Sequence, residues 1–178
     1  MKFSFSPIIS ERSRVLILGT MPSDESLRRQ EYYANPNNQF WSILARVYSQ
    51  SIGDCYPNKI RFLLDNGLAL WDVLKGADRE GSLDSNIKNE IPNDFGRLFR
   101  TCTSLTTVAF NGTNAEKLFR RHVVRKQDIP RLNQLELLSL PSTSPTPGRY
   151  VLSFEQKIVK LDFGTLGYFG PNYIDTIS

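Results

Sequence analysis

Apolar residues fall into short unbroken runs, separated by stretches in which they recur every three or four positions. Three runs read as strands: Val15 to Leu18, Thr107 to Phe110 and Leu135 to Leu140. A shorter fourth, Leu68 to Trp71, follows the helix-stopping pair Asn66-Gly67. Because successive rather than alternate positions are apolar, these strands are expected to be covered on both faces. Between them the spacing is helical: Phe40, Trp41, Leu44, Val47 and Tyr48; Ile60, Leu63 and Leu64; Phe95, Leu98 and Phe99; Ala115, Leu118 and Phe119; Phe154, Ile158 and Leu161. Strands alternating with helices predict an α/β fold, with helices on both faces of a parallel sheet.

Composition adds little to that picture but narrows the class. With 178 residues, 40% hydrophobic and 22% charged, the chain reads as one globular domain over residues 1–178. No apolar run is long enough to cross a membrane. The start, MKFSFSPIISERSRV, has no continuous apolar segment of the signal-peptide kind, so a cytoplasmic location is expected. Cys55 and Cys102 are far apart and form no metal-binding spacing. A net charge of +4 suits an anionic partner, and equally a solvated basic surface.

In parallel sheets of this kind ligands bind beyond the carboxyl ends of the strands, so the chemistry is sought there. Gly19-Thr20-Met21-Pro22-Ser23 follows the first strand, with Ser23 as a candidate N-cap and Asp24 and Glu25 in the first turn. It is either a plain turn or a cradle whose N–H groups hold phosphate or water. Asn111-Gly112 ends a central strand, as a common turn pair or as an amide facing the edge of a nucleobase. Pro141-Ser142-Thr143-Ser144-Pro145 is rigid at both ends, and its hydroxyls either cap a turn or donate to phosphate, with Arg149 close by in sequence. Neither a Walker loop nor GxGxxG is present, so no nucleotide cofactor is expected. The single histidine, His122, lies in a basic run with Arg120, Arg121, Arg125, Lys126 and Arg131 that reads as a solvated face.

Taken in order, LILGTMPS, YYANPNNQFW, LWDV, REGSLDSNI, VAFNG and LPSTSP resemble the uracil-DNA glycosylase superfamily, and within it the hypoxanthine-DNA glycosylase branch called family 6. The resemblance runs from about residue 4 to residue 161. It implies a three-layer α/β/α sandwich around a four-stranded parallel sheet. It also implies hydrolysis of an N-glycosidic bond in DNA, double- or single-stranded, that carries a deaminated base, with no metal or cofactor. The target nucleotide would be flipped into a pocket, and the protein would act as a monomer.

The same resemblance assigns roles. Gly19, Thr20, Met21 and Pro22 form motif 1 and are expected to bind substrate. Tyr33 is expected to stack on the flipped base, with Phe40 and Trp41 in the core. Met21 stands where much of the superfamily has a water-positioning Asp or Asn. The branch that lacks that residue is thought to use the Asn of its N-x-F-W segment, here Asn38, which also suits capping the Phe40 helix. Asn111 is expected to read the base, and Ser142, Thr143, Ser144 and Arg149 to contact the DNA backbone. Leu140 replaces the His that stabilises the departing base in other branches, and Thr146-Pro147-Gly148-Arg149 departs from the usual continuation of motif 2. Ser85 and Asn86 either contact substrate or cap a turn. Two other readings stay open: a mismatch-specific uracil glycosylase, and a catalytically silent module that binds damaged DNA or a free nucleobase.

Overall fold

The computed structural model describes residues 1–144 and 152–162. The four apolar runs become β2 (Val15–Gly19), β3 (Leu68–Asp72), β6 (Thr107–Asn111) and β7 (Glu136–Leu140). They form one parallel sheet in the order β3-β2-β6-β7. Between them lie α1 (Asp24–Arg29), α2 (Phe40–Val47), α3 (Tyr56–Asp65), α4 (Phe95–Thr101) and α5 (Thr113–Phe119), and α6 (Phe154–Asp162) follows. The α/β/α sandwich expected from the periodicity is the architecture observed.

Side chains alternate across each strand, so every run feeds two cores. Val15, Ile17, Leu68, Leu70, Ala109 and Leu140 pack with Phe40, Ile43 and Leu44 of α2 and Phe62 and Leu63 of α3. On the opposite face Leu16, Leu18, Ala69, Trp71, Val108 and Phe110 meet Phe95, Leu98 and Phe99 of α4 and Leu118 and Phe119 of α5. Double cover holds for β2 and β3, which are buried throughout, and for four of the five residues of β6. It fails for β7, where Glu136 and Ser139 are exposed and Leu137 and Leu138 are half-buried. As the last strand in the order, β7 has a neighbour on one side only.

A second sheet has no counterpart in the apolar pattern. It joins β1 (Lys2–Phe3), β4 (Leu74–Asp78) and β5 (Lys88–Pro92) in antiparallel order β1-β4-β5. The Phe3 ring lies directly over Gly76, where a Cβ would fall 2.9 Å from Phe3 Cδ1. Only Val73 separates β3 from β4, so the chain leaves the parallel sheet and at once begins the ribbon that carries residues 79–87 to the strand ends.

The basic run after α5 is partly solvated, as expected, but Arg131 is not free. Its Nη1 donates to the carbonyls of Phe99 (2.9 Å) and Cys102 (2.7 Å), and Nη2 to those of Leu105 (2.8 Å) and Thr103. One guanidinium thus satisfies the orphan carbonyls at the end of α4 and in the turn leading to β6. Charged hydrogen bonds of this kind are worth about 1.5–3 kcal/mol each at most and are not additive. Arg131→Ala is expected to lower stability by roughly 2–4 kcal/mol in urea unfolding, with Arg131→Lys intermediate. A loss below about 0.5 kcal/mol would show the carbonyls to be equally well served by water.

Candidate active site

Parallel register sets the strand ends side by side. Gly19 pairs with Asp72 across β2 and β3, and Asn111 with Leu140 across β6 and β7. The strand order reverses direction between β2 and β6, which is where open parallel sheets form ligand crevices. A cavity of about 410 Å³ opens there.

Most of the residues singled out from the sequence meet around this cavity. Gly19, Thr20, Met21 and Pro22 form one wall, Tyr33 and Asn38 a second, and Asn111 with Ser142, Thr143 and Ser144 a third. Met21 also belongs to the core, which explains an apolar side chain at that position. Arg149 lies outside the described residues, as do Pro145 to Gly148. Ser23 caps α1 as expected, its side chain accepting from Ser26 N.

YYANPNNQFW reaches the cavity as a tight loop. Tyr33 has a left-handed backbone (φ 52°), and its ring stacks on Phe40 at 3.9 Å with an interplanar angle of 15°. Phe40 and Trp41 are buried in the α2 core, as the sequence suggests. Asn38 Oδ1 accepts from Phe40 N at 3.0 Å, which closes an Asx turn before the helix; the N-cap position itself is Gln39 and makes no side-chain cap bond, so Asn38 is not the N-cap. That bond holds the amide through its oxygen, and Asn38 lines the cavity.

Asn111 is the hub. Its Nδ2 donates to Tyr33 Oη (2.8 Å) and Thr143 Oγ1 (2.9 Å), while Oδ1 accepts from Thr143 N (2.9 Å). One side chain therefore binds the aromatic loop to the Pro-Ser-Thr-Ser loop. Gln39 N adds a bond to Thr143 O, and the buried Lys157 of α6 donates to Gln39 Oε1 at 2.8 Å. Gly112, with φ 97°, passes so close to Ser142 that a Cβ would fall 3.0 Å from Ser142 Cβ.

Two carboxylates in this cavity are absent from the sequence-based site. Asp72 ends β3 and is 3% exposed. Its Oδ2 accepts from Ser4 Oγ at 2.5 Å, and Oδ1 lies against Gly19, where a Cβ would sit only 2.6 Å away. Any side chain at position 19 would displace that carboxyl. Burial pushes the Asp72 carboxyl up to about 7. The Ser4 hydrogen bond and Arg79 oppose this shift, and the nearby Asp84 charge adds to it. Tyr32, Tyr33 and Tyr56 also face Asp72; burial raises all three phenols, Tyr32 and Tyr33 far above their ordinary range. Asp84 Oδ2 accepts from Thr20 Oγ1 at 2.6 Å, and its Oδ1 stands 3.7 Å from Arg79 Nη1. Arg79, itself buried, also donates to the Pro22 carbonyl, so it links motif 1 to the Asp84 turn. The signal in the sequence was position: Asp72 directly follows LALW, but its chemistry depends on burial that no local pattern shows.

Other sequence candidates lie apart. Ser85 lines the cavity, whereas Asn86 Nδ2 donates to Glu80 O and caps the turn. His122 is buried with Nε2 2.5 Å from Glu90 Oε2, outside the cavity.

The Asp72 carboxyl, raised by burial, contributes stability that is fully present below its unfolded value, near 3.9, and lost as pH rises through about 7. Asp72→Asn carries no such ionisation. The stability of this variant relative to the wild type is expected to rise by roughly 3 kcal/mol between about pH 5 and pH 9, read from unfolding curves. A constant difference would mean that the carboxyl is ionised throughout.

The family model of the uracil DNA glycosylase superfamily matches residues 6–158. A hypoxanthine DNA glycosylase of Methanosarcina acetivorans is 42% identical over 115 residues, covering 64% of this chain and 73% of the relative. A protein of the same name from Methanosarcina barkeri is 39% identical over 112 residues, covering 62% and 71%. The fold is similar to a solution NMR structure from Methanosarcina acetivorans, provisionally titled a uracil DNA glycosylase. The TM-score is 0.76 at 32% identity, over 94% of this chain and 98% of that one. With these motifs at the ends of these strands, the chain belongs to the uracil DNA glycosylase superfamily.

Proposed function

We propose that this protein is a DNA glycosylase that hydrolyses the N-glycosidic bond of a deaminated base, foremost hypoxanthine in deoxyinosine, and leaves an abasic site. The observation that carries the reading is the cavity itself. A flat aromatic ring, a side-chain amide and a buried carboxyl converge on one space at the strand ends, in a chain 42% identical over 115 residues to a hypoxanthine DNA glycosylase.

Each group has a role in this reading. Tyr33, braced from behind by Phe40, offers its remaining face to the flipped base. Asn38 holds a water against C1′ as the bond to the base lengthens and the sugar becomes oxocarbenium-like. An amide is too weak a base to take the proton early, so the water is positioned rather than ionised. Asn111 contacts the base through its remaining lone pair and keeps Tyr33 and Thr143 in place. Ser142, Thr143, Ser144 and Arg149 contact the backbone beside the lesion.

Asp72 accounts for the preference for a deaminated base. In this reading Oδ2 of the neutral acid accepts from Ser4 and its proton is carried on Oδ1. A donor there matches the carbonyl that deamination creates and meets a second donor where adenine keeps its amino group. The bonded carbonyl also draws charge from the departing base, which Leu140 cannot do. Above about pH 7 the ionised carboxylate repels that carbonyl instead.

The test is single-turnover cleavage of labelled duplexes containing deoxyinosine, deoxyuridine or no lesion, followed by alkali. Deoxyinosine strands are expected to be cut fastest, and Asn38→Ala to slow that reaction by about 100-fold. The wild-type rate should fall as pH rises through about 7, and Asp72→Asn should abolish that fall. Duplex binding without release of either base would replace the enzyme with a silent binding module.

A further inference from the structure

Beside the cavity runs a second cleft of about 520 Å³, reached across a shared rim of Thr20, Asp84, Ser85 and Asn114. The base cavity has Asp72 and Asp84 on its walls against the single cation Arg79. The cleft has the opposite balance: Lys117, Arg120, Arg121 and Arg125 against Asp84 and Glu90. The four cations are exposed, so their charge is available to an incoming ligand.

Local geometry gathers them. Lys117 and Arg125 are eight residues apart, and at 3.6 residues per turn an uninterrupted α-helix would point them about 80° apart. After α5 the helix widens instead into a π-helical stretch, Arg120–Val124, closed by the Arg125 N to Arg120 O bond at 3.2 Å. With that wider turn, Arg125 lines the same cleft as Lys117. Such π-bulges concentrate at functional sites, and here the consequence is a row of cations along one wall.

The row is only partly neutralised. Arg120 pairs with Glu116 at 2.9 Å, and Arg121 donates to both oxygens of Glu90 at 2.5 Å. Lys117 and Arg125 have no ion pair among the described residues. Two uncompensated cations in a cleft that shares a rim with the candidate base pocket suit a polyanionic strand that passes from one to the other.

We propose that this cleft is the track for the phosphodiester backbone of the lesion strand as it leaves the base pocket, with Lys117 and Arg125 each neutralising one phosphate. The proposal rests on the DNA glycosylase reading for its substrate but not for its test, since backbone contacts are independent of sequence and damage.

The experiment measures binding of the full chain to a lesion-free labelled duplex over a range of salt concentrations. Each phosphate contact contributes about 0.9 to the slope of log K against log salt. The double variant Lys117→Ala/Arg125→Ala is expected to flatten that slope by about 1.8. Lys117→Glu alone should weaken binding further by repulsion. Arg12→Ala/Arg14→Ala, at the opposite end of β2, should leave the slope as it is. An unchanged slope in the Lys117/Arg125 variant would overturn the track. Loss of the slope with no base released from any duplex would keep the track and refute the glycosylase.

Discussion

The side-chain amide of Asn111 is the interaction on which the site depends. Two hydrogens go to Tyr33 and Thr143, and the oxygen takes the Thr143 amide hydrogen. Three segments distant in sequence are held by a single planar group whose own position is fixed at the end of a buried strand. The sheet supplies rigidity and the amide converts it into loop geometry. A hydrogen-bonded hub in a poorly solvated place is both strong and directional.

A second constraint works by absence. The carboxyl of Asp72 lies in space that exists only because position 19 has no side chain. Gly112 does the same for the approach of Ser142. Both glycines sit where parallel strands hand over to loops, and each trades chain flexibility for close contact between strand ends.

The parallel sheet was legible because double burial writes itself as unbroken apolar runs, and the helices because their apolar positions keep a 3.6-residue period. That Gly19 to Pro22 and Asn111 would gather at strand ends was legible from the apolar runs that precede them, and Tyr33 and Asn38, in the loop before α2, reach the same cavity. The β1-β4-β5 sheet was not, since strands such as Lys88–Pro92 are largely exposed and lack both apolar runs and alternation. Asp72 and Asp84 were visible as letters without being visible as site residues. Their importance comes from neighbours 68 and 64 positions away, Ser4 and Thr20, which no local pattern connects to them. Arg131 shows the same limit in reverse: a cation in a basic run whose charge is spent on carbonyls inside the protein.

The stack of Tyr33 on Phe40 has a geometric consequence of its own. Phe40 meets Trp41 edge to face, and both rings are anchored in the core beneath α2. A planar ligand resting on Tyr33 therefore adds one more layer to a pile that begins inside the protein. Its tilt is inherited from core packing rather than chosen at the surface, and only one side of the tyrosine ring is open to it. Replacing Phe40 or Trp41 would therefore shift the tilt of the Tyr33 ring without altering any residue that lines the cavity.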